Sequence, residues 1–388
     1  MYLTREEERM LSGEYSEYVR KAMEVVVKVG EMLGAERLVE VVHAHVSGVS
    51  IFNIGEPGLH LIEEMASAGT KFSVFTTVNP YAAIDAEFLG RRLGEDMIRK
   101  QMRVVNALTR MGGRAFTCAP YHIRMPKKGE HLAWAESNAV LYANSVAGAM
   151  TLREGGPMAL MEAIVGRAPM AGPHLPENRV PDSLVALENV RDGASAAAAG
   201  YIMGKHLHSP DVVPYVVGLP RQEEYVRLFL AAFGASGSSP MAVIEGITPD
   251  YRELLARGDI RDKLVIGKDD IRQYVEETVA DADVGLIGCP HLSREEALEI
   301  LEELGDGARR ELWVFTGTHV GADVIEALRR KGVRVLVGQC PVVTRLSLLG
   351  IESVITDSGK ALHYLPKLAG VRAHLISREH ILRWARGE

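Results

Sequence analysis

Apolar residues recur at helical spacing from Ser16 to Leu33 and stop at Gly34, which predicts a helix over that stretch. Before it, Thr4 and Glu7 make a capping box that opens a first, shorter helix. Residues 38 to 46 are mostly apolar without that spacing and predict a buried strand. The apolar run Lys71 to Val78 breaks at Asn79-Pro80, and Leu89 to Arg110 has helix-forming composition until Gly112-Gly113. Arg114 to Thr117 then predicts a short strand leading into Cys118, and the small-residue segment Ala135 to Met150 predicts a tightly packed helix.

From about Arg153 to Arg191 the chain is rich in Gly, Pro and His, as in Ala171-Gly-Pro-His174, so loop-dominated structure and a unit boundary are expected there. After the small-residue patch Ala194 to Ala199, a strand (Val212 to Val217), a helix (Gln222 to Phe233) and a strand (Met241 to Glu245) predict another α/β unit. The last third alternates most clearly. The strand Val284 to Gly288 precedes a helix opened by the capping box of Ser293 and Glu296. Strands at Leu312 to Phe315, Arg334 to Gly338, Ser353 to Ile355 and Arg372 to Leu375 follow, separated by amphipathic helices. This is the pattern of a doubly wound parallel sheet, whose ligands gather at the carboxyl ends of strands. The expected fold is therefore α/β, in units spanning about 1–150, 151–280 and 281–388, with no sequence repeat and no low-complexity linker.

Composition narrows the partners. With 388 residues, 47% of them hydrophobic, the chain can bury a large core. Charged residues make up 24% and the net charge is −7 without a basic stripe, which argues against nucleic acid. No stretch reaches the roughly 18 uninterrupted apolar residues of a membrane span, and the N-terminus opens on charged residues, so a cytoplasmic protein is expected. Sparse Asn and Gln with helices dense in Glu, Lys and Arg suggest a heat-adapted source, although Met is not depleted.

Three cysteines, an odd number, do not suggest a disulfide framework. Cys289 sits in Gly-Leu-Ile-Gly-Cys-Pro and Cys340 in Leu-Val-Gly-Gln-Cys-Pro, each after a strand, and Cys118 in Phe-Thr-Cys-Ala-Pro ends a third. Three strand ends can aim three sulfurs at one point. Any one buried Cys is more often plain packing, and zinc held by three Cys and a His is the competing metal site. Zinc sites usually show close-spaced Cys pairs, which are missing here. A cubane iron–sulfur cluster held by three distant thiolates fits better, with one iron left open as a Lewis acid. Gly-Leu-Ile-Gly lacks the spacing of a dinucleotide fingerprint, so no NAD is expected.

Other candidates are weaker taken singly. Gly48 to Ser50 follow a strand and can present N–H groups to an anion, or form an ordinary turn. Lys360, near a predicted helix start, suits a carboxylate or phosphate, but a lysine so placed is more often a solvated surface residue. Glu136 is either buried near the metal or on an exposed helix face. His43 and His45 alternate along a strand and read as structural histidines.

The segments His45-Val-Ser-Gly-Val-Ser50, Asn53-Ile-Gly-Glu-Pro-Gly58, Thr76-Thr-Val-Asn-Pro80, Cys118, Glu136-Ser137-Asn138, Cys289-Pro290, Cys340-Pro341 and Asp357-Ser-Gly-Lys360 together resemble the catalytic large subunit of aconitase X proteins, in order across nearly the whole chain. The resemblance implies a hydro-lyase in which Cys118, Cys289 and Cys340 ligate a 4Fe-4S cluster with one open iron. It implies that Gly48, Val49, Ser50, Asn79, Pro80, Glu136, Ser137 and Lys360 surround the substrate, with Glu136, Ser137 and Lys360 taking part in catalysis. It also implies a separate small subunit that supplies the serine base, with Ser50 and Ser137 as substitutes. The substrate it suggests is mevalonate 5-phosphate, dehydrated to trans-anhydromevalonate 5-phosphate in an archaeal-type isoprenoid pathway, and the alternative is cis-3-hydroxy-L-proline. Arg124, Lys127, Lys128 and Arg345 are candidates for holding a phosphate. A non-catalytic zinc scaffold is the reading from another class.

Overall fold

The side chains of Thr4, Ser16 and Ser293 accept free N–H groups at the starts of the helices Arg5–Leu11, Glu17–Met32 and Arg294–Glu303, so these polar positions act as the helix starts their spacing predicts. The computed structural model describes residues 1–83, 94–207, 209–278 and 281–388. The helix expected from Leu89 thus has its predicted start outside the described residues; it spans Glu95–Met111 and closes on Gly112 at φ 112°.

Among the described residues, three parallel sheets carry the architecture. The first contains β1 (His43–Val46), β2 (Phe75–Val78), β3 (Gly113–Phe116) and β4 (Ala133–Trp134), in the order β3-β2-β1-β4. The second contains β5 (Ser183–Leu187), β6 (Pro214–Val217), β7 (Val243–Ile244) and β8 (Asp262–Ile266), in the order β7-β6-β5-β8. The third contains β9 (Val284–Leu292), β10 (Leu312–Thr316), β11 (Arg334–Val337), β12 (Ser353–Thr356) and β13 (Arg372–Leu375), in the order β11-β10-β9-β12-β13. Each sheet therefore winds outward in both directions from its first strand. Beside that strand the connections part, and a crevice opens at the carboxyl ends. The chain repeats a topology without repeating a sequence.

Each sheet has its own core. Met23, Leu59, Leu108 and Met111 lie in the first, and Phe229 and Phe233 in the second. In the third, Leu312 and Val314 pack on one side, Trp313 and Phe315 on the other. The patch Ala194 to Ala199 is part of the helix Gly193–His206, and its small side chains let the helix Glu223–Ser236 come close: a Cβ on Gly200 would stand 2.1 Å from the Phe229 carbonyl oxygen.

Several expectations change. The run 38 to 46 is two strands, because Leu38–Glu40 turns away to pair antiparallel with Arg167–Pro169 and only His43–Val46 enters the first sheet. Ala135 to Met150 is not one helix; Ser137–Tyr142 passes into a wider turn, Ala143–Ala147, ended by Gly148 at φ 68°. The stretch after Arg153 holds the helix Gly156–Val165, where Pro157 stands in the first turn, a position that tolerates its missing N–H. Met158, Leu160 and Ile164 of that helix pack in the first core, so this segment, expected with the second unit, joins the first. The helix Ile51–Ser67 went unpredicted because Gly55, at φ 61°, and Pro57 interrupt its pattern. No described helix is long and apolar enough to cross a membrane.

Candidate active site

All four strands of the first sheet end at one cavity of about 270 Å³. β1 delivers Ser47 and Gly48, β2 Asn79 and Pro80, β3 Cys118, and β4 Ala135, Glu136 and Ser137. The third sheet closes it from the other side with Gly288, Cys289 and His291 from β9, Cys340 to Val343 beyond β11, and Lys360 beyond β12. Cys289 and Lys360 thus flank the point where that sheet's connections part, the place a doubly wound sheet offers a ligand. A short parallel pairing of Tyr81–Ala82 with Gln339–Cys340 ties the two halves together.

Gly288 shows how the backbone aims a sulfur. Its φ is 99°, and a Cβ there would lie 2.1 Å from the Phe315 carbonyl oxygen on β10. Only glycine fits so close an approach. The register between β9 and β10 breaks between Ile287 and Leu292, and Cys289 falls within the break, facing the cavity.

Burial pushes each of the three thiols up to about 12, with the neighbouring Lys360 charge pulling back down. Among the described residues no group of three or more His, Cys, Asp or Glu side chains is placed to hold a metal ion by itself. All three sulfur-bearing residues line the one cavity, each within electrostatic reach of another.

Opposite them, Lys360 and Glu136 form a buried ion pair. Burial alone would raise the Glu136 carboxyl, but the Lys360 charge and a hydrogen bond from Asn79 Nδ2 at 2.7 Å hold it at about 2. Asn79 is in turn fixed from behind. Its Oδ1 lies 2.8 Å from His45 Nε2, and His45 Nδ1 lies 2.8 Å from Thr77 Oγ1, which is 3.0 Å from His43 Nε2. Burial lowers His45 to about 4 and lowers His43 well below its ordinary value, so both rings are neutral. An amide oxygen only accepts, so His45 carries its proton on Nε2; Thr77 must then donate to Nδ1 and accept from His43. Every bond in the chain points toward Glu136.

Models of the first, second and third domains of aconitase X match residues 1–177, 181–276 and 282–387. The chain is 37% identical to the phosphomevalonate dehydratase large subunit of Thermococcus kodakarensis, over 99% of this chain and 100% of that one. The chain belongs to the aconitase X family. The corresponding subunit of Methanothermobacter thermautotrophicus is 39% identical over 96% of both chains. The crystal structure of T. kodakaraensis aconitase X in its holo-form superposes with a TM-score of 0.90 at 36% identity, covering 99% of this chain and all of that one. A cis-3-hydroxy-L-proline dehydratase of Pseudomonas aeruginosa is 30% identical over 94% of this chain but only 66% of its own length.

Of the residues to which the aconitase X resemblance gave a part, the structure brings together Cys118, Cys289, Cys340, Gly48, Asn79, Pro80, Glu136, Ser137 and Lys360. It does not bring the side chains of Val49 and Ser50. Val49 is packed into the first core, and Ser50 caps the helix Ile51–Ser67 while its hydroxyl donates to the Val343 carbonyl at 2.9 Å. The basic candidates also lie elsewhere: Arg124 donates to the Val42 carbonyl and pairs with Glu130, Lys128 pairs with Asp250, and Arg345 is exposed, 5.6 Å from the Phe52 ring centre. Lys127 does not line the cavity either. Lys360 is the one Lys or Arg lining it among the described residues. Sequence reasoning set His45 aside and missed His291; the alternation of His43 and His45 on a strand that ends at Ser47 was the available signal for the first.

Proposed function

We propose that this chain is the large subunit of a dehydratase that removes water from (R)-mevalonate 5-phosphate to give trans-anhydromevalonate 5-phosphate, together with a separate small subunit. What carries the reading is length as well as likeness. Five relatives named phosphomevalonate dehydratase large subunit align over 95–100% of their own length, whereas the cis-3-hydroxy-L-proline dehydratases align over 66% of theirs. "Large subunit" implies a small one in those relatives, and the proposal extends that to this chain and assigns the small subunit the serine base.

The donor set fits an iron–sulfur cluster: three soft sulfur donors from three strand ends face one cavity. Cys118, Cys289 and Cys340 would hold a 4Fe-4S cluster as thiolates. When bound, such a cluster supplies a Lewis acid at the iron without a protein sulfur, which favours departure of a hydroxyl group.

The chain's own residues prepare the rest. Lys360 stays charged, since its contact with Glu136 and the nearby thiols outweighs the burial that would lower it, and it offers that charge to a substrate carboxylate. Glu136, held as an anion, is acceptor-only; it anchors Lys360 and orients the Asn79 amide, and it is no source of a proton for the leaving group. Ser137 donates to Glu136 at 3.4 Å, which engages its hydroxyl away from base chemistry. The N–H groups of Gly48, Val49 and Ser50 donate to nothing among the described residues, and with no second cation lining the cavity they are the proposed cradle for the phosphate. The test is an anaerobic, mass-resolved assay of this chain with its small subunit on mevalonate 5-phosphate and cis-3-hydroxyproline side by side. Water loss from the phosphate ester supports the reading; activity on hydroxyproline alone overturns the substrate.

A further inference from the structure

His291 touches the chain beside each of the three cysteines. It stands two residues after Cys289, its main-chain N–H donates to Cys118 Sγ at 3.2 Å, and its ring Nε2 lies 2.8 Å from the carbonyl of Gln339, the residue before Cys340. Its Nδ1 lies 3.2 Å from Oγ1 of Thr117, the residue before Cys118. These contacts fix the proton. A carbonyl only accepts, so Nε2 carries the hydrogen and Nδ1 is an acceptor. The Thr117 hydroxyl must then donate to Nδ1, and its oxygen is free to accept the Ala119 N–H at 3.1 Å, as it does. On the far side, the His291 carbonyl accepts from Arg227 at 3.0 Å, a buried guanidinium also paired with Glu296.

The three thiols come from two sheets with separate cores, and a cluster demands that their sulfurs match one rigid object. The short pairing of Tyr81–Ala82 with Gln339–Cys340 joins the sheets at one place. His291 joins them at another, and its ring spans the gap from Thr117 on the first sheet's edge to Gln339 on the third's. We infer that His291 is a positioning residue, a neutral brace that holds the three thiol-bearing strand ends in register for cluster assembly and retention. The inference rests on the reading that these thiols hold an iron–sulfur cluster, and it adds a residue that is not itself a ligand. Groups that orient ligands in this way typically change metal affinity about 10–100-fold when removed.

The test compares the wild-type chain with His291→Ala, His291→Gln and Thr117→Val, each with the small subunit, reconstituted anaerobically. Iron and acid-labile sulfide are measured, then the rate of iron loss to a chelator, alongside thermal unfolding of the metal-free forms. His291→Ala is expected to lose iron about 10–100-fold faster. Thr117→Val should move in the same direction by less, and His291→Gln, which keeps an N–H donor for Gln339, should recover part of the loss. The metal-free forms should melt alike. Equal iron loss in the wild type and His291→Ala overturns the brace and leaves the cluster reading standing. Faster loss that only follows a lower melting temperature of the metal-free variants also overturns it, since His291 would then be a general packing residue. A wild type that takes up no iron overturns the cluster reading itself. Thr117→Val, which exchanges one hydroxyl for a methyl, carries the comparison should His291→Ala not fold.

Discussion

Lys360 and Glu136 stand 224 positions apart in the chain and meet side chain to side chain in the cavity, one carried by the third sheet and the other by the first. Each is the other's neutralising partner in a buried place. Removing one leaves an unpaired buried charge, which costs about 3–5 kcal/mol, whereas removing both does not. Lys360→Met is therefore expected to destabilise the metal-free chain strongly in chemical unfolding. The double variant Glu136→Gln, Lys360→Met should regain most of that stability while still failing to eliminate water. A double variant as unstable as the single one would contradict the pairing.

The directed chain from His43 to Glu136 has its own consequence. Asn79 is one of the influences that hold Glu136 low against its burial, second to the Lys360 charge. Asn79→Ala should shift the acid limb of the pH–rate profile upward, toward the ordinary carboxylate range. His45→Leu leaves the Thr77 hydroxyl hydrogen and the Asn79 oxygen without partners, at about 1–3 kcal/mol for each buried group. It should also let the amide turn, so that the rate falls with the same upward shift. A pH profile unchanged in both variants would remove Asn79 and His45 from the account.

Glu154 and Glu162 face each other in the interior, and their four carboxylate oxygens have no other hydrogen-bond partner among the described residues. Burial raises Glu154 to about 7, and burial together with the Glu154 charge raises Glu162 well above its ordinary value of 4.5. A raised carboxyl binds more protons folded than unfolded, so its stabilising contribution is complete below the unfolded value and is lost as pH rises through the folded one. The pair should therefore contribute about 1–3 kcal/mol less stability at pH 8 than at pH 5, so the stability of Glu154→Gln relative to the wild type should rise over that range. Unfolding curves at several pH values settle it.

The third sheet was the most legible part of the sequence, since strands such as Leu312 and Arg334 onward alternate with amphipathic helices and Ser293 with Glu296 marks a helix start. The helix Ile51–Ser67 was not, because Gly55 and Pro57 look like a turn, and Gly156–Val165 was hidden behind a proline that helices accept in their first turn. At the site, residues set by local chemistry were readable: Cys118, Cys289 and Cys340 follow strands, and strand ends of parallel sheets converge. The link from His45 through Asn79 to Glu136 was not, because it depends on β1, β2 and β4 lying side by side, an order no local pattern reveals. The burial of Lys360 is of the same kind, since nothing near it in sequence shows that Glu136 is its partner.

Whether Cys118, Cys289 and Cys340 jointly hold an iron–sulfur cluster is read from the iron and acid-labile sulfide content of the chain purified anaerobically with its small subunit, for the wild type and for Cys118→Ser, Cys289→Ser and Cys340→Ser. A brown wild type with about four irons and four sulfides per chain, and three variants that are each depleted and inactive, is the predicted result. A wild type without iron, or a full cluster in any one of the serine variants, would contradict it.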